Sequence, residues 1–200
     1  MLLDQDAEVP SALVHERFVA APLTAATARL DYASYRSSPD VIRVHSDGRW
    51  PMEDFTFEDD LALVAVHEDD HRTRRAFTFV LLSPPRTEAV GCLYLNPLDR
   101  YLRDAGADRT MLEATPPTAA MVTFWVRQDL QDTDLPDVVA RAVDHWIRDD
   151  WPLPSHVFRV LPDEHSSRRA LDRLDLKRLW LRLPGERRPY LWYQGSPRIS

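Results

Sequence analysis

The sequence predicts an α/β fold in which helices and strands succeed one another along a single chain. Two runs rich in β-branched and aromatic residues, 76–82 and 89–96, flank the turn string SPPRTE and therefore predict a β-hairpin. Apolar residues at 3.6-residue spacing predict a helix over 135–149, between predicted strands over 119–127 and 156–161. The complete predicted order is β-α-α-β-β-β-α-β-α-β-β.

The first half of the chain is predicted to begin with a tail. We expect residues 1–13 to form this N-terminal tail and residues 14–200 to form a single domain. The pattern then predicts a strand over 15–23, a helix over 24–35 capped by Thr24, a loop over 37–52 and a helix over 56–71. The loop is assigned from the strings SSPD, SDG and WP. The following helix begins with TFED, which resembles a capping box.

The second half contains a long connection over 97–118, which we expect to hold a small helix near 98–105 or a functional loop. Asp134 as N-cap and Pro136 near the first helical position predict where the helix over 135–149 begins. The remaining predicted elements are a short helix over 164–174 and a terminal strand pair over 177–183 and 189–193.

The composition limits the classes of function. A net charge of −7 and a pI near 5.5 argue against a nucleic-acid-binding protein, which needs a basic face. No apolar run approaches the roughly 20 residues of a membrane span, and the acidic N-terminus shows no secretory signal. Cys92 is the single cysteine, so no internal disulfide can form. We therefore expect a cytoplasmic protein without a nucleic-acid or membrane partner.

Three strings resemble segments of the GCN5-related N-acetyltransferase (GNAT) superfamily. EAVGCLYLNP (88–97) resembles the central strand, MVTFWVRQDLQDTDLPDVVARAVDHWI (121–147) the fourth strand with its pyrophosphate loop and long helix, and HSSRRALDRLDL (165–176) the last helix. The resemblance covers residues 14–193. It implies a mixed, mostly antiparallel central sheet, split after the fourth strand and flanked by helices on both faces. It also implies transfer of an acyl group from acetyl-CoA to an amine.

The resemblance further implies where acetyl-CoA would bind. By position, the backbone of Trp125, Val126 and Arg127 would meet the pantetheine arm. The following loop and the helix N-terminus would hold the pyrophosphate, through Gln131, Asp132, Thr133, Asp134 and Leu135. Arg168 and Arg169 could meet the adenosine phosphates or lie on a solvated face.

The loop departs from the family's pattern at Asp134 and Pro136, where small residues are usual. A carboxylate repels a phosphate by about 1 kcal/mol at roughly 4 Å in water, and proline has no N–H to donate. Two interpretations follow. Either CoA binds with fewer phosphate contacts, or the site has been lost and Asp134 caps the helix for stability.

The proton-transfer residues of the family are not carried over. Its general base falls at Met121 and its general acid at Leu171. Substitute bases are Glu88, Asp99 or His67, and holding the reactants together supplies much of the rate. The first hypothesis is an acyl-CoA-dependent N-acyltransferase acting on a small-molecule amine, with weak or no activity. The second is a catalytically inactive protein of the same fold that binds a ligand or a partner.

The string HEDDH, residues 67–71, matches the H-E-x-x-H pattern of zinc hydrolases. On a helix its two histidines would share a face, with Glu68 as the base. No clear third ligand follows on a downstream helix. A zinc hydrolase is therefore a remote alternative, and we expect no metal.

Other groups allow both a structural and a functional interpretation. Cys92 lies in an apolar strand, which is typical of a buried thiol. The acidic residues of the segment 53–60 could attract a cationic amine, although acids also suit a helix N-terminus; they are Glu53, Asp54, Glu58, Asp59 and Asp60. The terminal aromatic residues are typical of a core or an interface, which leaves a homodimer open; they are Trp180, Tyr190, Trp192 and Tyr193.

Overall fold

Eight strands form one sheet in the computed structural model of the protein, which describes residues 1–196. The strands are β1 (Leu13–His15), β2 (Phe18–Pro22), β3 (Phe77–Leu82), β4 (Ala89–Pro97), β5 (Ala120–Val126), β6 (His156–Val160), β7 (Lys177–Leu179) and β8 (Leu191–Gln194). The helices are α1 (Ala28–Arg36), α2 (Pro39–His45), α3 (Phe57–Arg72), α4 (Leu98–Asp104), α5 (Arg109–Ala114), α6 (Leu135–Asp150) and α7 (His165–Asp172). A short 3₁₀ turn, Gln128–Leu130, joins β5 to α6. Across the sheet the strand order is β1-β2-β3-β4-β5-β6-β8-β7.

The sheet is antiparallel except at one junction, where β5 and β6 run parallel. These two strands pair only from Ala120 to Val122, against His156 to Phe158. β5 continues to Val126 while still paired with β4. The sheet therefore opens between β5 and β6, which is the split that the resemblance implied.

Helices cover both faces of the sheet. On one face, α6 and α7 contribute Val139, Val143 and Ala170 to the main core. On the other face, α1 and α3 bury Ala28 and Val64 against the sheet. Strands β3 and β5 are buried along their whole length, which explains their continuous apolar sequences. Over residues 1–196, no helix has both the length and the apolar character needed to cross a bilayer.

Several predicted elements are confirmed. β3 and β4 form the predicted hairpin, with Phe77 opposite Leu95. The helix predicted over 135–149 is α6, and the small helix predicted after β4 is α4, which α5 then follows. α3 begins at a complete capping box: the Asp59 N–H donates to Thr56 Oγ1 at 3.2 Å, and the Thr56 N–H donates to the Asp59 carboxylate at 2.9 Å.

Three segments differ from expectation. The predicted loop over 37–52 contains α2, which begins at Pro39. The string SSPD marks a helix start here because proline is favoured in the first turn of a helix. The predicted strand over 15–23 is the second arm of the β1–β2 hairpin. Leu2 and Leu3 are buried in the main core, so the N-terminal segment is not a loose tail.

Candidate functional site

Trp125 lies on β5 beyond the point where β5 and β6 stop pairing, and it is still paired with β4 on the other side. Cys92 is opposite Trp125 in the register, and Gly91 is opposite Val126. A Cβ atom at position 91 would lie 2.1 Å from the carbonyl oxygen of Trp125. Only glycine therefore permits this approach of the two backbones. The last residue of β5 paired with β6 is Val122, so Trp125 stands at the opening of the sheet.

A cleft of about 270 Å³ lies beside this opening, and we call it the strand cleft. Its walls come from α2, from the end of β5 with the loop after it, and from the start of α7. The lining residues are Asp40, Val41, Val44, Trp125, Gln131, Asp132, Asp163, Glu164, His165, Ser166, Ser167 and Arg169. Of the predicted cofactor-binding residues, Trp125, Gln131 and Asp132 therefore lie together in one cleft.

Gln131 connects the two sides of the strand cleft. Its side-chain amide donates to the Val126 carbonyl at the end of β5, and its side-chain oxygen accepts from the Ser166 hydroxyl on α7. Arg169 donates to the Gln131 carbonyl at 3.1 Å. These bonds fix the loop between β5 and α6 against α7. The side chain of Val126 is fully buried, so only its backbone can face a ligand.

Asp134 occupies the N-cap position of α6, but its side chain makes no capping hydrogen bond. Its two carboxylate oxygens instead accept from Arg17 at 3.0 and 2.9 Å. This bidentate pair lowers the pKa of Asp134. Thr133 takes the capping role, because its hydroxyl accepts from the Leu135 N–H at 3.2 Å. Asp134 therefore has the predicted N-cap position but does not cap the helix with its side chain, and its charge is already balanced by a cation.

Arg127 turns away from the strand cleft into an ion-pair network. Its guanidinium contacts Asp129 at 2.6 Å and Glu88 at 2.7 Å. The hydrogen bond to Asp129, followed by the one to Glu88, raises the pKa of Arg127. Glu88, a candidate base, is therefore paired with an arginine and does not line the strand cleft. Asp99, another candidate, lies on α4 and pairs with Arg103.

Arg169, rather than Arg168, reaches the strand cleft. The Arg168 side chain donates to the Pro162 carbonyl at 2.9 Å. Arg169 lines the cleft, and its Nε is buried without a hydrogen-bond partner among residues 1–196. The start of α7 therefore presents one guanidinium to the cleft, that of Arg169, whereas Arg168, the other arginine of the predicted pair, does not line it.

A second cavity of about 310 Å³ lies on the other side of Trp125, and we call it the aromatic cavity. It is enclosed by α1, α2, α3 and β4. Its lining residues are Leu23, Asp31, Tyr35, Ile42, His45, Ser46, Trp50, Phe55, Asp60, Leu63, Val64, His67, Tyr94 and Trp125. Trp125 is the residue that lines both cavities, so the two cavities meet at this residue.

Two buried carboxylates line the aromatic cavity, Asp31 on α1 and Asp60 on α3. They are only 8% and 6% exposed. Each has one oxygen that is buried without a hydrogen-bond partner among the described residues. Burial, with the nearby charge of Asp60, raises the pKa of Asp31 to about 7. Burial raises the pKa of Asp60 to about 6.

A histidine–glutamate pair lies between the two cavities. His45 Nδ1 is 2.6 Å from a carboxylate oxygen of Glu164. His45 lines the aromatic cavity and Glu164 lines the strand cleft. The second oxygen of Glu164 accepts from the Leu161 N–H at 2.6 Å, which fixes the carboxylate. The imidazole is thus held in place with a carboxylate behind it, an arrangement suited to accepting a proton.

His67 and Tyr94 complete the polar part of the aromatic cavity. His67 Nδ1 is 3.0 Å from the Thr78 hydroxyl, and burial lowers the pKa of this histidine. The Tyr94 hydroxyl accepts from Trp125 Nε1 at 3.3 Å. Burial raises the pKa of Tyr94 well above its usual value, so this phenol keeps its proton. His67 is therefore the one of the three candidate bases that faces this cavity.

Sequence reasoning missed Asp31, His45 and Tyr94. Tyr94 offered a signal, because it is a hydrogen-bonding side chain in an otherwise apolar strand. Asp31 lies on a correctly predicted helix, but nothing local indicates that it is buried. His45 falls in the segment assigned as a loop, so its orientation had no basis in the pattern.

The HEDDH string lies on α3, as predicted, and its two histidines have different surroundings. His67 faces the aromatic cavity, whereas His71 packs its ring against Phe77 and Phe79, with centroids at 4.9 and 5.5 Å. Within residues 1–196, no group of three or more His, Cys, Asp or Glu side chains is placed to share a metal ion. Cys92 is fully buried and donates to the Phe79 carbonyl.

A scan against protein-family models finds no match, and a search of curated proteins finds none either. Solved structures, in contrast, share the fold. The ribosomal-protein-S5-alanine acetyltransferase from Vibrio fischeri superposes with a TM-score of 0.62 at 14% identity, over 94% of this chain and 97% of that one. RimL, a ribosomal L7/L12 alpha-N-protein acetyltransferase in complex with coenzyme A, gives 0.67 at 13% identity, over 94% and 98%.

A third similar structure is the microcin C7 self-immunity acetyltransferase MccE in complex with acetyl-CoA and AMP. It gives a TM-score of 0.67 at 14% identity, over 93% of this chain and 96% of that one. Sequence identities this low establish the fold alone. The predicted fold class is therefore confirmed: the sheet is mixed, mostly antiparallel and flanked by helices on both faces.

Proposed function

We propose that this chain, which has the fold of the GCN5-related N-acetyltransferases, is an acyl-CoA-dependent N-acyltransferase. The observation that carries the proposal is the meeting of two cavities at Trp125. The strand cleft follows the free end of β5, and the aromatic cavity holds buried carboxylates and histidines. An acyl donor in the first cavity and an amine in the second would approach each other at this indole ring.

The residues of the strand cleft fit an acyl-CoA. The unpaired end of β5 offers backbone groups to a pantetheine arm, and Arg169 offers a cation to a phosphate. The N-terminus of α6 adds a partial positive charge. The Asp134 carboxylate is paired with Arg17, which reduces the repulsion expected from the sequence. Pro136 still removes one donor, so this fit involves fewer phosphate contacts than the family's usual loop.

The chemistry needs two proton transfers, and residues beside Trp125 can make both. Acyl-CoA supplies a thioester carbonyl, at which the N–C bond forms as the C–S bond breaks. His45, supported by Glu164, or His67 accepts the proton that the amine nitrogen loses. The protonated Tyr94 hydroxyl is the candidate donor to the departing sulfur. These residues would replace the base and acid that are absent at Met121 and Leu171, both of which are buried apolar side chains.

The proposed acceptor is a small amine. Two of the named neighbours are described as enzymes for ribosomal proteins, whereas MccE is described as a self-immunity acetyltransferase. The aromatic cavity has a volume of about 310 Å³. This volume lies at the lower end of the range of small-molecule sites, roughly 300–1,000 Å³. We therefore favour a small molecule over a protein N-terminus.

The second candidate function is a catalytically inactive protein that binds a ligand or a partner. The buried apolar residues at positions 121 and 171 favour it, because neither can transfer a proton. The two candidates differ in whether an acyl-CoA is consumed.

Calorimetric titration of CoA and acetyl-CoA tests the donor site. We expect micromolar binding to the parent, binding several-fold tighter in Asp134→Asn, and binding weakened about tenfold in Arg169→Ala. The Asn variant releases Arg17 for phosphate, since a charge pair of this kind is worth about 1 kcal/mol when exposed. Arg173→Ala, at the C-cap of the same helix, is the matched control, because Arg173 pairs with Asp137 and does not line the cleft.

The outcomes separate the two candidates. Binding of acetyl-CoA followed by release of free thiol on addition of amines would support the transferase. Binding without thiol release across a broad amine panel would favour the inactive protein. Absence of CoA binding in the parent and in Asp134→Asn would contradict a donor site in the strand cleft.

A further inference from the structure

We propose that the aromatic cavity is a binding site for a small ammonium ion with an apolar substituent, held by Asp31 and Asp60. The inference deepens the proposed function, on which it rests for the role of the bound molecule as acyl acceptor. For transfer, the ammonium ion first loses one proton to water through His45 or His67, which line the same cavity, and the resulting amine then attacks the thioester. Binding of the ion itself requires no acyl donor. The binding and the transfer can therefore be tested separately.

Burying the two carboxylates without partners has a cost in free energy. Asp31 and Asp60 are at least nine-tenths buried and come from different helices, α1 and α3. Each leaves one oxygen without a partner among the described residues. Buried acids without partners are destabilising, and proteins normally pair them or coordinate them to a cation. Since both carboxylates line the same cavity, a single cation placed there would satisfy both.

The remaining wall of the cavity suits an organic cation in both charge and shape. No lysine or arginine is among the described residues that line the cavity. Five aromatic side chains do line it, namely Tyr35, Trp50, Phe55, Tyr94 and Trp125. Aromatic faces attract cations, and they also accept an apolar substituent. Carboxylates with aromatic walls therefore select an organic ammonium ion over an anion or a neutral alcohol of the same shape.

The position of the cavity also fits an acceptor. Leu63 and Val64 of α3 and Ile42 of α2 supply an apolar wall beside the carboxylates. Trp125 lines both this cavity and the strand cleft. An amine held by Asp31 and Asp60 would thus lie in the cavity that adjoins the proposed donor site at Trp125. The cavity is placed to set acceptor specificity.

Proton release is an expected signature of this site. The titratable groups that line the cavity are Asp31 and Tyr35 on α1, His45 on α2, Asp60 and His67 on α3, and Tyr94 on β4. The raised pKa values of Asp31, about 7, and Asp60, about 6, mean that the empty cavity retains part of a proton near neutral pH. A bound cation favours the charged carboxylates, so binding should expel that proton.

The test uses three probes of nearly the same shape, titrated into the full chain without CoA. They are cyclohexylmethylamine, cyclohexylmethanol and cyclohexanecarboxylate. We expect the ammonium to bind at least tenfold more tightly than the alcohol at pH 7.5, and the carboxylate not to bind. Calorimetry in two buffers of different ionisation enthalpy should show release of a fraction of a proton on ammonium binding.

Isosteric variants identify the carboxylates. Asp31→Asn and Asp60→Asn should each weaken ammonium binding at least tenfold and reduce proton release, whereas alcohol binding stays unchanged. Glu58→Gln is the matched control, because it removes one negative charge from the same helix at an exposed position. Thermal melting checks that each variant folds. We expect both Asn variants to fold, because each removes a buried carboxylate that lacks a partner.

Three results would overturn the inference. One is equal binding of the ammonium and the alcohol, and another is ammonium binding unchanged in both Asn variants. A third is much tighter binding, through the same carboxylates, of a short peptide with a free N-terminus. Failure of ammonium binding with intact CoA binding contradicts this inference alone. Ammonium binding without CoA binding keeps this site and contradicts the proposed transferase.

Discussion

Gly91 determines how closely β4 and β5 approach beside Trp125. An added Cβ would lie 2.1 Å from the Trp125 carbonyl oxygen, and the contact is with backbone, which cannot rotate away. We expect Gly91→Ala to lower the free energy of unfolding by roughly 1–3 kcal/mol, since overpacking a buried strand has this cost. Urea denaturation measures the change. Thr87→Ala, in the exposed turn before β4, should leave the stability within error, and an equal loss in both variants would contradict the steric argument.

The contribution of Asp31 to the stability of the fold should depend on pH. Its folded-state pKa, about 7, lies above its ordinary value of 3.8, so the folded protein binds this proton more tightly than the unfolded chain. The stability linked to Asp31 is therefore fully present below pH 4 and is lost as the pH rises through about 7. We expect Asp31→Asn to be more stable than the parent at pH 8, by up to roughly 4 kcal/mol, and not at pH 4. Thermal melts across this range measure it; a pH-independent difference would refute a buried, unpaired carboxylate.

The limit of sequence reasoning is visible at these residues. Asp60 belongs to the acidic segment 53–60, which was predicted to be able to attract a cation. The other four acids of that segment do not line the aromatic cavity, and no local sequence pattern distinguishes Asp60 from them. Its distinction comes from burial in the wall of a cavity that Asp31, 29 positions earlier on another helix, also lines. Similarly, no local pattern indicates that Arg17 would neutralise Asp134, because the two meet only in the folded sheet. Single residues at a site depend on contacts that are distant in sequence.

Among the helices and strands, α2 was not predicted, and the part of the site that it forms was therefore missed. It has seven residues, and its apolar residues are too few to establish a helical period. Long elements such as α3 and α6 were predicted closely, because α3 begins at a complete capping box and α6 has apolar residues at a clear helical period. The short helix nevertheless supplies walls to both cavities, with Val41 and Val44 in the strand cleft and His45 in the aromatic cavity.

The position of α2 leads to a prediction about catalysis. If the proposed transferase is correct, His45→Gln should lower kcat about 10²-fold, the lower end of the usual contribution of a general base. The Kd for CoA should stay within twofold, because His45 does not line the strand cleft. Steady-state thiol release and calorimetry give the two numbers. His67→Gln is the comparison: a larger loss of kcat in that variant would assign the base to α3 instead.

At the scale of the whole molecule, the element order and the resemblance together predicted the open sheet correctly. The hairpin, the long helices and the strand before α6 all carry strong local signals. The two cavities and their meeting at Trp125 could not be predicted, because they arise where β4, β5, α1, α2, α3 and α7 converge. The N-terminal segment was also misjudged, since two leucines give no periodic pattern even though they enter the core.

Because Trp125 lines both cavities, a change in its side chain should affect ligand binding in each of them. Trp125→Phe keeps an aromatic ring but removes the Nε1–H that donates to Tyr94. We expect it to weaken CoA and cyclohexylmethylammonium several-fold each, and to reduce any coupling between them, which must be equal in both directions. Trp180→Phe is the control, because Trp180 is 91% exposed and lines neither cavity. Calorimetry with each ligand alone and then together measures the effect. Loss of affinity for only one ligand would mean that the indole ring serves one cavity and that the two do not act as a single site.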